Sequence, residues 1–180
     1  MLPEVKNPEK GLADDVFDFV TRITPMVNVD LLVFDSSDRF LLTRRETDQF
    51  MCGWHVPGSI VRYKEDLQNR LKQLIKAEFD NMPISSLQMV CCYQIVLNKN
   101  RNKRGHFISF LYKGIAKEPV SKKQLNAISG KWFEQCPEDL IPVHEIYRNL
   151  MDGKSPISAL NATFGDANLI FLTPPGYESP

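Results

Sequence analysis

Residues 65–79, EDLQNRLKQLIKAEF, decide how the chain folds. Leu67, Leu71, Leu74 and Ile75 recur at helical spacing, so the segment reads as an amphipathic helix with one face in a core. Asn81 and Pro83 stop it. Glu78 breaks the pattern. It stands seven residues after Leu71 and eleven after Leu67, and at about 100° per residue both spacings return to nearly the same direction. A carboxylate on that stripe is paired, neutralised or bound to a cation, or else the helix has left the core and Glu78 is solvated at its last turn. Just ahead, Pro57-Gly58-Ser59 is a tight small-residue turn that exposes carbonyls, and Glu65 stands at the helix entrance, where a carboxylate favours the dipole. Turn carbonyls and helix carboxylates are the hard oxygen ligands that Mg²⁺ takes alongside waters and substrate phosphates.

Outward from this helix the elements alternate. Gly11 precedes a short amphipathic helix carrying Leu12, Val16, Phe19, Val20 and Ile23, which Thr24-Pro25 ends. Val27 to Phe34 reads as a strand, Asp35-Ser36-Ser37-Asp38 as a turn, and Arg39 to Thr43 as the return arm of a hairpin. Leu87 to Leu97 and His106 to Ile115 are strand-like, with a basic loop from Lys99 to Arg104 between them. Gly130 to Glu134 suits one more short strand. A last helix starts near Pro142, with Val143, Ile146, Tyr147, Leu150 and Met151 as its stripe and Gly153 as its stop. This order predicts an α+β protein, an α/β/α sandwich with a mixed sheet. The expected organisation is an N-terminal arm over 1–25, one domain over 26–154 and a tail over 155–180, loosely packed or lying on a partner subunit.

Apolar residues make up 43% and charged residues 24% of the 180, the balance of a globular domain. The formal net charge of zero gives no global field toward nucleic acid or an anionic membrane. No apolar run reaches the ~18–20 residues that span a bilayer, and the first residues lack the apolar core of a signal peptide. Cys52, Cys91, Cys92 and Cys136 include no CxxC pair, which argues against zinc, and read as reduced thiols in a cytoplasmic protein.

With these residues in place, the chain resembles the Nudix family, whose box reads G-x5-E-x7-R-E-U-x-E-E-x-G-U. Glu65, Ile75 and Glu78 match it; Ser59, Gln73, Leu74, Ala77 and Asp80 do not. The GDP-mannose mannosyl hydrolase branch carries a similarly reduced box, and the likeness to it extends over roughly residues 12–152. It includes Thr24-Pro25-Met26-Val27-Asn28-Val29-Asp30, Phe40-Leu41-Leu42-Thr43-Arg44-Arg45, Gly53-Trp54-His55-Val56-Pro57-Gly58, Tyr93-Gln94, His106-Phe107 and Val143-His144 through Arg148.

The resemblance implies a Nudix fold and hydrolysis of a nucleotide sugar, GDP-mannose or a relative, at the anomeric carbon with release of GDP. It implies Mg²⁺, with Mn²⁺ as a substitute, on the Gly58 carbonyl, the Glu78 carboxylate and Asn126. Asp30 and Arg45 would lie near the diphosphate, and Arg45 suits a bidentate phosphate contact. His106 and Phe107 fall at further substrate-side positions, and the catalytic candidates are Asp30, Arg45 and His106. A homodimer is expected by analogy. The departures lie where the branch places its general base, here Ala127, and at Ile60, Gln73 and Ile95; if Gln124 is the ligand, Leu125 takes the base position. His55 and His144 are the available stand-ins. Two rivals remain in view: a nucleotide-binding protein that has lost catalysis, and a pyrophosphatase cutting P–O–P, against which Leu74 and Ala77 argue.

Overall fold

In the computed structural model, residues 5–46, 52–97, 104–117 and 119–154 are described, together with the backbone of 162–164 and 167–172. The elements run α1 (Asp14–Ile23), β1 (Met26–Phe34), β2 (Phe40–Arg45), β3 (Gly53–His55), β4 (Gly58–Ile60), α2 (Leu67–Glu78), β5 (Ile84–Leu97) and β6 (His106–Ala116). They continue with α3 (Lys122–Ala127), β7 (Gly130–Phe133), a 3-10 segment (Pro142–Tyr147), α4 (Arg148–Met151), β8 (Ala162–Phe164) and β9 (Ala167–Leu172).

The described strands form one mixed sheet in the order β3-β2-β1-β6-β5-β9-β8, with β4 on β1 and β7 on β2. β1 is its axis. One edge of β1 pairs in parallel with β6 along its whole length. The other edge is shared: Asn28 to Asp30 pair with β4, and Val33 and Phe34 pair with β2. The edge of β1 therefore changes partner just beyond Asp30, and the candidate site lies there.

Strand alternation sends β1 side chains into two cores. Val29, Leu31 and Val33 meet Leu71, Leu74 and Phe79 beneath α2. Leu32 and Phe34 meet Tyr93, Ile141, Ile146 and Tyr147 on the opposite face. That is the sandwich the sequence predicts. α2 spans 67–78 rather than 65–79, because Asp66 caps it by accepting a hydrogen bond from the Asn69 N–H at 2.8 Å. It ends where Asp80 and Asn81 take left-handed φ of 49° and 55°.

Three local differences have physical causes. A helix not expected from the sequence, α3, forms behind the capping box of Ser121 and Gln124. The last helix winds first as 3-10 and only then as α. On α1, Phe19 and Ile23 are exposed, since only Val16 and Thr21 of that helix are buried. The segment read as a tail contributes β9, whose backbone pairs antiparallel with β5 from Cys92 to Leu97. The basic loop over 98–103 lies outside the described residues. No described helix is long and apolar enough to cross a membrane, and the four cysteines are free.

Leu74 is 1% exposed at the centre of the α2 core. Leu74→Ala is expected to lower unfolding stability by about 2–5 kcal/mol in urea titrations. A loss well under 1 kcal/mol would mean that α2 does not hold that core.

Candidate functional site

The site begins with a carboxylate in an apolar strand. Asp30 is 2% exposed, and alternation places it on the same face as Leu32 and Phe34. Its partner across the β1–β4 pairing is Gly58. A Cβ built on Gly58 would lie 1.9 Å from Asp30 Oδ1 and 3.0 Å from Asn28 Nδ2, so only glycine lets β4 approach. Asn28 Nδ2 donates to Asp30 Oδ1 at 2.7 Å. Tyr147 Oη donates to Oδ2 at 2.5 Å, and Ser109 Oγ on β6 donates to the same oxygen. Burial pushes the Asp30 carboxyl up to about 6, against the pull of these three donors and of the Arg45 charge. The group thus changes protonation near the pH at which an acid or base is useful.

His144 lines the same cavity as Asp30, and His55 stacks on His144. His144 Nδ1 accepts the Val56 N–H at 2.9 Å, and burial holds its ring well below the usual histidine range, with His55 and Arg45 adding to the effect. His55 Nδ1 lies 2.9 Å from the Thr43 carbonyl. The two rings are 6.2 Å apart. One nitrogen of each is thus committed to the backbone, and His144 is a neutral wall of the site.

A cavity of about 640 Å³ opens from Asp30, within the size range of small-molecule sites. Pro8, Gly11, Leu12 and Phe17 of the N-terminal segment close one side. Arg45, Arg62, Arg70 and Arg104 face into it, with Asp30 the one acidic residue among the lining side chains described. Arg104 stacks over Phe17, its guanidinium carbon 5.0 Å from the ring centroid. Arg62 packs under Gly11, where φ is +116° and a Cβ would meet its Nη1 at 2.6 Å.

Arg70 is 7% exposed. Its Nη1 donates to the Ile60 carbonyl at 3.3 Å, and its Nε lies 3.4 Å from Glu65 Oε2. That ion pair lacks hydrogen-bond geometry, so the buried Nε has no hydrogen-bond partner among the described residues. Glu65 is turned to bracing the loop: its oxygens accept the Arg62 N–H and Asn69 Nδ2, each at 3.0 Å.

The cavity gathers Asp30, Arg45, Gly58 and Phe107 from the residues singled out in the sequence. His106 does not line it; its Nε2 lies 2.8 Å from Gln94 Nε2. Glu78 is exposed at the last residue of α2, the solvated alternative of the sequence reading, and it does not line the cavity. Asn126 is exposed within α3, while Gln124 is occupied in its capping box. Among the described residues no three His, Cys, Asp or Glu side chains gather in a metal-holding group. With Glu78 and Asn126 both outside the cavity lining, the donor set that the resemblance implies for a divalent cation does not come together at the cavity.

Arg70, Ser109, Tyr147 and Arg62 were missed in the sequence. Arg70 had a signal, since it stands three residues after Leu67 and four before Leu74, on the same stripe as Glu78. Ser109 and Tyr147 had none, because they reach Asp30 across 79 and 117 residues of chain.

No protein-family model matches the chain. Solved structures do. A protein of Jonesia denitrificans, described as a possible asymmetric diadenosine tetraphosphate hydrolase, matches with a TM-score of 0.55 at 17% identity, over 75% of this chain and 99% of that one. A MutT NUDIX hydrolase from Burkholderia pseudomallei matches with a TM-score of 0.52 at 18% identity, over 65% and 90%. The NUDIX domain of Shewanella oneidensis NrtR, solved with ADP ribose, matches at 0.45 and 20% identity, over 69% and 79%. The chain has the Nudix fold.

Asp30 keeps its proton to about pH 6 in the folded chain, against 3.8 for an ordinary aspartate. The unfolded chain releases that proton first, so this group's contribution to stability falls as pH rises from about 4 to about 6. Relative to Asp30→Asn, the native chain should lose up to about 3 kcal/mol across that window in denaturant titrations. A difference that is flat or rises with pH would refute the assignment.

Proposed function

We propose that the cavity takes a nucleotide sugar, GDP-mannose or a related GDP-sugar, and that the chain hydrolyses it at the anomeric carbon. The observation that carries this reading is the convergence of Arg45, Arg62, Arg70 and Arg104 on one cavity with the buried Asp30 at its end. Guanidinium groups in a partly dry cavity stabilise the charge that a diphosphate gains as it leaves. The aromatic walls, Phe17 and Phe107, suit a base or a sugar face.

In the proposed step a water oxygen bonds to the anomeric carbon as the carbon–oxygen bond to the diphosphate breaks. The bonding pair leaves on GDP, and the water proton passes to Asp30. Tyr147, Ser109 and Asn28 hold the Asp30 carboxylate in one orientation. The reading includes a cytoplasmic location and a homodimer. Attack at phosphorus is disfavoured by Leu74 and Ala77, which stand where that chemistry places carboxylates.

A second reading, nucleotide binding without turnover, is favoured by one observation: Asp30 already accepts three hydrogen bonds, which leaves little of it for water.

Phosphorus NMR of the chain with GDP-mannose tests both readings. GDP should appear, faster as pH rises through about 6, where Asp30 loses its proton. Asp30→Asn should slow it by about 10²–10⁴-fold. GMP with mannose 1-phosphate would sink anomeric cleavage. A substrate spectrum that broadens with protein but never changes would select the binding reading.

A further inference from the structure

We infer that this chain binds a diphosphate without a divalent cation, with Arg70 and Arg62 neutralising the charge that a bound metal would otherwise neutralise. The inference rests on the nucleotide reading above and asks how that same site holds phosphate.

Three observations meet here. The first is the poverty of the donor set: no three His, Cys, Asp or Glu side chains gather among the described residues, and Leu74 and Ala77 occupy sequence positions where the resemblance places carboxylates. Glu78 is exposed and outside the cavity lining.

The second is Arg70. An arginine that is only 7% exposed on the inner stripe of α2 is unusual, because the desolvation of its charge must be offset by partners. Its partners here are incomplete. One nitrogen reaches the Ile60 carbonyl at 3.3 Å, the Glu65 carboxylate stands 3.4 Å from Nε, and Nε itself makes no hydrogen bond among the described residues. Nε is itself closed off from solvent, so the shortfall leaves the charge of Arg70 incompletely met by the protein, in a residue that lines the cavity where an oxyanion would offset it.

The third is the support around that donor. Glu65 accepts the Arg62 N–H at 3.0 Å, so the carboxylate beside Arg70 also fixes the backbone that carries Arg62. The Arg62 guanidinium is packed against Gly11, which has no side chain there to displace it. The Arg70 guanidinium is therefore held by the Ile60 carbonyl and the Glu65 carboxylate before any ligand arrives, and a preorganised guanidinium loses less entropy on binding phosphate oxygens. Among the described lining residues, four arginines stand against one carboxylate, an excess of positive charge for a diphosphate to cancel. Added Mg²⁺ would compete for the same phosphate oxygens and weaken the complex rather than build it.

Isothermal titration calorimetry of the full chain with GDP, and separately with inorganic pyrophosphate, tests this in chelator and in excess Mg²⁺. The expected result is binding in chelator, with affinity unchanged or lower when Mg²⁺ is added. Arg70→Gln and Arg62→Gln, each checked by thermal melting, should each weaken GDP at least ~10-fold in chelator, the worth of a hydrogen bond to a charged group. Arg62→Gln keeps the test decisive if the buried variant fails to fold. Binding of GDP only in Mg²⁺ would overturn the inference and leave the nucleotide reading standing. Native affinity in both folded variants would also overturn it. No GDP binding under either condition would overturn both.

Discussion

The packing of the Asp30 carboxylate against the Cα of Gly58 sets the shape of everything around it. The contact leaves no room for a side chain on β4, whose pairing with β1 depends on it. It also removes a carboxylate from water, at a cost that only several donors can offset. One of those donors is local, Asn28 on β1 itself, and two are distant in the chain, Ser109 on β6 and Tyr147 from the 3-10 segment. One polar group thus ties β1, β4, β6 and the 3-10 segment to a single point. It also gives the site a proton that is held with a pKa of about 6.

Around this point charge is distributed unevenly. The chain is neutral overall, yet the cavity collects four arginines from four separate parts of the chain. Two are positioned by glycine or aromatic contacts with the N-terminal segment, Arg62 at Gly11 and Arg104 at Phe17. The N-terminal segment is therefore part of the cavity wall, and it helps to set where these charges lie. A neutral His144 adds no further charge, since burial and its neighbours keep it unprotonated.

Much of the fold was legible because period and punctuation agree with it. The stripe of Leu67, Leu71 and Leu74 gave α2, and the alternation of Val29, Leu31 and Val33 against Leu32 and Phe34 matches a strand buried on both faces. The short α3 escaped because its capping box is a local signal without an apolar stripe. In the site, Asp30, Arg45, Gly58 and Phe107 were read from motif positions and share the cavity. Glu78 shows where periodicity alone is ambiguous: a residue on the stripe at the last turn projects past the core it points toward, and here it meets solvent. Arg70 lies on the same stripe one turn from the start, where the core continues, and is buried. Ser109 and Tyr147 become part of the site only through tertiary contact, which no spacing in the sequence encodes.

The most direct test of this account is a crystal structure of the chain grown with GDP-mannose or GDP. The diphosphate should lie inside the cavity, its oxygens within hydrogen-bonding distance of Arg62 and Arg70 and its sugar end toward Asp30. A diphosphate bound outside the cavity, on a cation held by Glu78, would contradict it.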